Sequence, residues 1–203
     1  MRLVRSTSLC LSLRVFCMTA IDLSSYVALL ALSLLTINIL LGLLMSVRYS
    51  TLRSWPHRQI NIFALHNWTG YTALCVAGLH PVLLLFSKTA GFHWFDLLWP
   101  LHSPLQPLVN SLGAAAFYCV AIVVGTSYFR VELGRKLWKS LHYTSYAAAA
   151  LFFTHGILTD PELKNRPTNF LDGEKVFIEG CLLLVLLAVG WRVRYAMKKQ
   201  GRA

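Results

Sequence analysis

Long runs of residues without a formal charge are the feature that most constrains this chain. Residues 26–46 contain no Asp, Glu, Lys or Arg. As a helix rising about 1.5 Å per residue, this run matches the roughly 30 Å hydrocarbon core of a bilayer. Inside that layer each backbone N–H and C=O must find its partner within the segment, which favours helices. The run predicts a membrane-spanning helix, and the fold class we expect is an all-α membrane protein.

The composition excludes a soluble domain. Of the 203 residues, 56% are hydrophobic and only 13% are charged, and the mean hydropathy is +0.57. In a soluble chain a net charge of +11 would suggest a nucleic-acid partner. Here Lys and Arg flank apolar segments and form no basic face, so we expect contact with membrane lipid and no nucleic acid.

Five spanning segments are predicted, forming a bundle in a single domain over residues 21–203. They cover residues 26–46, 60–86, 105–129, 141–158 and 176–191. Residues 1–20 carry Arg and Ser, and their apolar run is too short to span. We interpret this N-terminal extension as a targeting segment or as an over-long start ahead of Met18.

The distribution of Lys and Arg predicts the orientation. Basic clusters follow the first, third and fifth segments, whereas the connections after the second and fourth are nearly balanced in charge. By the positive-inside rule, the basic loops and the C-terminus are cytoplasmic. We expect the chain in the inner (cell) membrane of a bacterium, with the second and fourth segments running in the same direction, from inside to outside.

Those two parallel segments carry two histidines each. His66 and His80 are 14 residues apart, which on a helix means about 21 Å along the axis and a shared face within about 40°. His142 and His155 are 13 residues apart in the fourth segment. The common direction places His66 level with His142 near the cytoplasm, and His80 level with His155 near the outer side. Ionisable groups inside a bilayer are costly and point to function.

Four imidazoles at two depths are what two stacked haems need, with two axial His ligands for each iron. Such iron has no open position, which favours electron transfer over oxygen binding. One spacing is out of register, since thirteen helical steps leave His155 about 140° from the direction of His142. A π-bulge, a tight turn, or haems approached from different sides of the helix would be required. Taken singly, each His is equally well explained by a hydrogen bond to a neighbouring Ser or Thr.

Two motifs carry a resemblance to a known family. Arg58 and IFALHNW, with a His 14 residues later, and LWKSLHYTSY, with a His 13 residues later, together resemble the transmembrane domain shared by ferric reductases and NADPH oxidases. The similarity covers most of residues 48–197. The resemblance implies a b-type cytochrome with two haems b, whose axial ligands are His66, His80, His142 and His155, and electron transfer across the membrane.

The cytoplasmic basic residues have two interpretations. Arg58 and Arg135 are candidates for binding the propionates of the inner haem, and Arg192 and Arg194 for docking an acidic reductase. The alternative is that these side chains determine topology and face lipid phosphates.

The electron donor is expected to be a separate protein. In NADPH oxidases, flavin- and nicotinamide-binding domains follow the membrane domain, and this sequence has no GxGxxG or other phosphate-binding motif. We therefore expect an oxidoreductase component that a cytoplasmic flavin or NAD(P)H reductase loads with electrons, and that reduces an acceptor on the outer side.

Two alternatives stay open. The motif GRKLWKSLHY is also similar to the haem-binding membrane subunit that serves a periplasmic methionine sulfoxide reductase. That resemblance implies a quinone site in place of one haem and a soluble protein as acceptor. The other alternative is a haem-free membrane scaffold or small transporter subunit.

Overall fold

All regular structure is helical in the part of the chain that the structure describes. The structure is a computed structural model that describes residues 19–47, 61–164, 166–167 and 169–201. A short 3₁₀ turn, Pro100–His102, lies between the third and fourth α-helices. The α-helices are α1 Ala20–Ser46, α2 Ile62–Leu84, α3 Trp94–Leu98, α4 Pro107–Tyr128, α5 Arg130–His142, α6 Thr144–Leu158 and α7 Gly173–Gln200. The predicted all-α class is confirmed.

A helix covers all or most of each of the five predicted spans. Among the described residues, three helices are long and apolar enough by themselves to cross a membrane: α1, α4 and α7 over Gly173–Lys198. Polar residues such as His66, Asn67 and His80 lower the hydropathy of α2, and α6 has only 15 residues. α2 thus falls short of a spanning helix in hydropathy, and α6 falls short in length.

Local capping explains where the first two long helices begin. Thr19 Oγ1 accepts the N–H of Asp22, while the Asp22 carboxylate accepts the N–H of Thr19. This reciprocal cap starts α1 at Ala20, several residues before the charge-free run from which its span was predicted. Asn61 caps α2 in a similar way, since its side-chain oxygen accepts the N–H of Ala64 at 3.0 Å.

The helices associate as two antiparallel pairs. α1 packs along α2, α4 packs along α6, and α7 lies against α1 and α6. A core of Leu32, Ala116, Phe152, Phe153 and Ile178 lies where the pairs meet α7. Within the described residues, α2 and α6 make at most marginal contact with each other. A gap therefore separates α2 from α6, and residues of both helices line it.

Two expected connections are partly helical. The basic stretch after the third span, expected as a connection, forms α5, which bends at Gly134 because that residue has φ 72°, a conformation that suits glycine. The connection expected over residues 159–175 ends earlier, because α7 begins at Gly173. Lys175, which we expected in this loop, thus lies in the first turn of α7.

Reciprocal hydrogen bonds join the 159–164 loop to the start of α4. Gln106, in a left-handed conformation with φ 47°, donates its amide to the carbonyl oxygen of Asp160 at 3.1 Å. Its side-chain oxygen accepts the N–H of Asp160 at 3.0 Å. Burial alone would raise the pKa of Asp160, but hydrogen bonds from the N–H groups of Arg166, Glu162 and Lys164, with the charge of Arg166, lower it below its usual value.

Candidate functional site

His66 and His142 lie next to each other at one end of the bundle. His66 lies in the second turn of α2, and His142 is the last residue of α5. Their ring centroids are 6.4 Å apart, and the ring planes make an angle of 63°. The structure therefore brings together the two histidines that the sequence placed at one depth, which we call the inner level.

The orientation of His66 is set by Asn38 of α1. Nδ1 of His66 lies 3.0 Å from the backbone carbonyl oxygen of Asn38. The Asn38 amide donates to the carbonyl oxygen of His66 at 2.5 Å and to Thr69 Oγ1 at 2.8 Å. Because a carbonyl oxygen can only accept, Nδ1 of His66 carries the proton and Nε2 has a free lone pair.

His142 is oriented by a hydroxyl group and an indole ring. Its Nδ1 lies 3.3 Å from Ser127 Oγ, which also accepts the indole N–H of Trp138 at 3.3 Å. The Trp138 and His142 rings pack with centroids 5.2 Å apart. Since a hydroxyl can either donate or accept, this contact does not fix which ring nitrogen of His142 carries the proton.

His80 lies at the other end of α2, which we call the outer level. Its Nδ1 is 3.0 Å from the backbone carbonyl oxygen of Ser24 and 2.9 Å from Ser24 Oγ. Ser24, only 1% exposed, donates its hydroxyl to the carbonyl oxygen of His80 at 2.8 Å. This exchange requires the Nδ1–H form of His80 and ties α2 to α1 just before Pro81.

His155 fits against a glycine on α4. Its Nδ1 lies 2.8 Å from the carbonyl oxygen of Val109, which again requires a proton on Nδ1. A Cβ added at Gly113 would lie 2.8 Å from Cε1 and 2.9 Å from Nε2 of this ring. The absence of a side chain at Gly113 is therefore what gives His155 its position.

A turn at Tyr143 accounts for the spacing of His142 and His155. The predicted fourth span, residues 141–158, is not one continuous helix, because α5 ends at His142 and α6 begins at Thr144. The N–H of Tyr143 reaches the carbonyl oxygen of Ser140 at 3.2 Å, and that of Tyr146 reaches Tyr143 at 3.1 Å. Such i→i−3 bonds turn the chain by about 120° per residue instead of about 100°. The tighter winding reduces the mismatch of about 140° expected for a regular helix.

His80 and His155 line one cavity of about 490 Å³ between the two helix pairs. Most of its wall is apolar and includes Gly78, Phe117 and Phe152. The volume lies within the range of about 300–1,000 Å³ that is usual for cofactor and ligand sites. Trp68 is 70% exposed and is absent from this wall.

The four rings share a feature that suits metal binding. In the described part of the chain, none of their Nε2 atoms makes a hydrogen bond. Three of the rings donate Nδ1–H to a backbone carbonyl, which is the usual way that a protein orients a metal-binding imidazole. No group of three or more His, Cys, Asp or Glu among these residues could hold a bare ion. A pair of imidazoles would suffice for an iron whose other ligands come from a macrocycle.

Lys175 is the site residue that the sequence analysis missed. It lines the cavity and is only 4% exposed. Its Nζ donates to the carbonyl oxygen of Gly156 at 2.7 Å and to that of Thr159. A signal existed in the sequence, since Lys175 directly precedes the apolar run 176–191 on the side where positive charges are sparse.

The structure describes one of the two arginines that were predicted to bind propionates. Arg135 is exposed and has no hydrogen bond or ion pair within the described residues. Arg58 lies outside the described residues. Of the other basic residues, Arg192 donates to Ser46 Oγ at 2.7 Å and so joins the ends of α7 and α1.

Comparison with protein families identified a relationship for this chain. The model described as ferric reductase like transmembrane component matches residues 27–153. This region begins in α1, ends in α6 and contains His66, His80 and His142. The comparisons with curated proteins and with solved structures each found no match.

Proposed function

This chain belongs to the ferric reductase-like transmembrane family, and from that premise we propose that it transfers electrons across a membrane through two haems b. The inner haem would have His66 and His142 as axial ligands, and the outer haem His80 and His155. Bound at each level, haem supplies a one-electron carrier that links a cytoplasmic donor to an acceptor on the outer side.

The observation that carries this proposal is the pairing of rings with free Nε2 atoms at both levels. Two imidazoles on opposite sides of one metal, each bound at about 2 Å, have centroids on the order of 6 Å apart. The separation of His66 and His142, 6.4 Å, is of that size. At the outer level, the cavity between His80 and His155 supplies room for a macrocycle, because α2 and α6 hardly touch.

The residues around the rings have defined tasks in this function. Asn38, Ser24 and Val109 keep a proton on Nδ1, so each imidazole presents a neutral Nε2 to the metal. The apolar wall with Phe117 and Phe152 excludes water from the outer level. His66 with His142 and His80 with His155 would hold the two haems, which would supply one-electron transfer to an acceptor that does not bind the iron.

The basic ends of the bundle support the proposed orientation. Basic residues lie near the inner level of the bundle. They include Arg135 on α5, the helix that ends at His142, and Arg192 and Arg194 near the C-terminal end of α7. We place this side in the cytoplasm, with a bacterial inner membrane as the location. In this arrangement Arg58 and Arg135 bind the propionates of the inner haem, and a separate flavin or NAD(P)H reductase docks at the same side.

A reduced-minus-oxidised spectrum of the purified chain with haem counting tests the proposal. We expect a low-spin b-type spectrum and two haems per chain after full reconstitution. A redox titration on the same sample should resolve two potentials. A colourless protein, or a ratio clearly below two, would contradict the two-haem function.

A difference between the two levels favours a second candidate function. The outer rings both donate Nδ1–H to carbonyl oxygens. In the described part of the chain, the hydrogen-bond partner of His142 is only a hydroxyl group, at 3.3 Å. In the alternative, only the outer level binds haem, the inner level binds a quinone, and a soluble protein outside receives the electrons. Replacing His66 then leaves the haem content unchanged, whereas the two-haem function requires that it fall.

A further inference from the structure

Lys175 carries an unusual charge for its surroundings. Among the described residues it is the only charged side chain that is buried. Moving an ammonium group out of water costs several kcal/mol unless a partner compensates it. In proteins, such a group is therefore nearly always paired or neutralised.

The polar contacts of Lys175 do not complete this compensation. Its Nζ donates to the carbonyl oxygens of Gly156 and Thr159, so one of the three N–H bonds of the ammonium group has no acceptor among the described residues. Asp160, Asp172 and Glu174 are near enough to interact with its charge. Within the described chain, however, no carboxylate comes within the 4.0 Å of an ion pair.

The location of Lys175 indicates where a counter-ion would be. The side chain lines the same cavity as His80 and His155. Two carboxylates, Asp96 and Glu174, also line that cavity. Asp96 accepts the N–H of His93 at 2.8 Å, while Glu174 has no hydrogen bond among the described residues. Among the described residues that line the cavity, Lys175 is thus the one ammonium group, and Glu174 is the main negative charge near it.

We propose that Lys175 binds a carboxylate that enters this cavity, as part of the outer-level site. The inference rests on the proposed function for one of its two sources, a propionate of the outer haem. The other source is the free carboxylate of a small acceptor, such as an organic acid chelate. In both cases the carboxylate accepts the remaining N–H of Lys175 and neutralises its charge in the low-dielectric interior.

The first arm of the test compares haem with its dimethyl ester, in which both propionates are uncharged. Each compound is titrated into the full-length chain that carries His66→Ala and His142→Ala. The titration is repeated with the same chain carrying Lys175→Met in addition. If Lys175 binds a propionate, the ester binds more weakly to the chain with Lys175. The Lys175→Met change should shrink that preference by about tenfold or more, as the loss of one charge-assisted hydrogen bond predicts.

The second arm uses haem-free protein and citrate. Its result can be interpreted even if the chain binds no haem. If the site takes a free carboxylate, citrate raises the Tm of the intact chain and has no effect on the Lys175→Met variant. A chain that binds no haem would refute the proposed function without deciding this arm. The proposal itself is overturned if Lys175→Met changes neither the ester preference nor the citrate response.

Two further variants separate a binding role from a structural one. Lys175→Arg keeps the charge and should restore the response that Lys175→Met loses. Glu174→Gln removes the opposing negative charge and should strengthen the same response by a few-fold. Loss of the response in Lys175→Arg, together with no gain in Glu174→Gln, would mean that Lys175 only supports the helix ends, which also overturns the proposal.

Discussion

Nδ1 of His80 and the backbone carbonyl oxygen of Ser24 lie 3.0 Å apart, and the Ser24 hydroxyl donates in return to the carbonyl oxygen of His80. One serine on α1 therefore fixes both the ring and the backbone of a proposed ligand on α2. These bonds join α1 to α2 near one end of the pair, as the bonds of Asn38 with His66 and Thr69 do near the other end.

Replacing Ser24 with alanine should destabilise the protein and loosen the outer level. Interhelical polar contacts in membranes contribute about 0.6 kcal/mol on average and up to about 1.7, and we expect the upper part of this range because Ser24 is buried. The free energy of unfolding and the affinity for haem measure the effect. Ser33→Ala is the matched control, since Ser33 donates only to Leu29 of its own helix. Equal losses in both variants would disprove the role of Ser24.

Gly113→Ala should displace His155. The added Cβ would lie within 3.0 Å of three ring atoms, and the ring cannot retreat without breaking its bond to Val109. We expect loss of the outer haem, measured as one haem per chain instead of two. On the same helix Gly125 has no atom within 4 Å of an added Cβ, so Gly125→Ala should retain both haems. Retention of both haems in Gly113→Ala would contradict the assigned position of His155.

The histidine replacements should follow the pairs rather than the helices. Either His66→Ala or His142→Ala should remove the same inner haem, and the double replacement should remove no more than that one. In contrast, His66→Ala combined with His80→Ala should remove both haems. Haem counting measures each case. If the inner double variant loses two haems, the division into two independent levels is wrong.

Acid should open the outer loop through Asp160. Because its carboxyl pKa is lowered in the folded protein, the stabilisation is complete above the ordinary value of about 4 and is lost as the pH falls through the lower folded value. Protection of the loop amides from hydrogen exchange should decline over that range. Asp160→Asn should have weaker protection at neutral pH and little change with acid. An identical profile in both proteins would remove Asp160 as the cause.

Much of the architecture could be predicted because bilayers leave few choices. Charge-free runs of spanning length gave helices in the right places, and counting residues between His66 and His80 placed the first pair at two depths. Two features were missed because they depend on local geometry. The cap at Asp22 starts α1 earlier than the charge-free run suggested, and Lys175 lies in a stretch that was predicted as a loop of mixed charge. The turn at Tyr143 was one of three explanations that the spacing of His142 and His155 left open.

The position of Gly113 also shows what sequence patterns cannot convey. A glycine on an apolar helix fits many kinds of close packing, and nothing near Gly113 in the sequence refers to His155. Only the fold brings the two together. The carbonyl partners of the rings escape prediction for the same reason, since every residue has a backbone oxygen.

The gap between α2 and α6 has a consequence for how the protein matures. Two hairpins, α1 with α2 and α4 with α6, can each insert into the bilayer on their own. Their backbone hydrogen bonds lie within the helices, so insertion does not require contact between the hairpins. The prosthetic group would then hold the two hairpins together, and it would do so only after both have inserted into the bilayer. We therefore expect freshly made apoprotein to be inserted yet pliant, and susceptible to quality-control proteases until it is loaded.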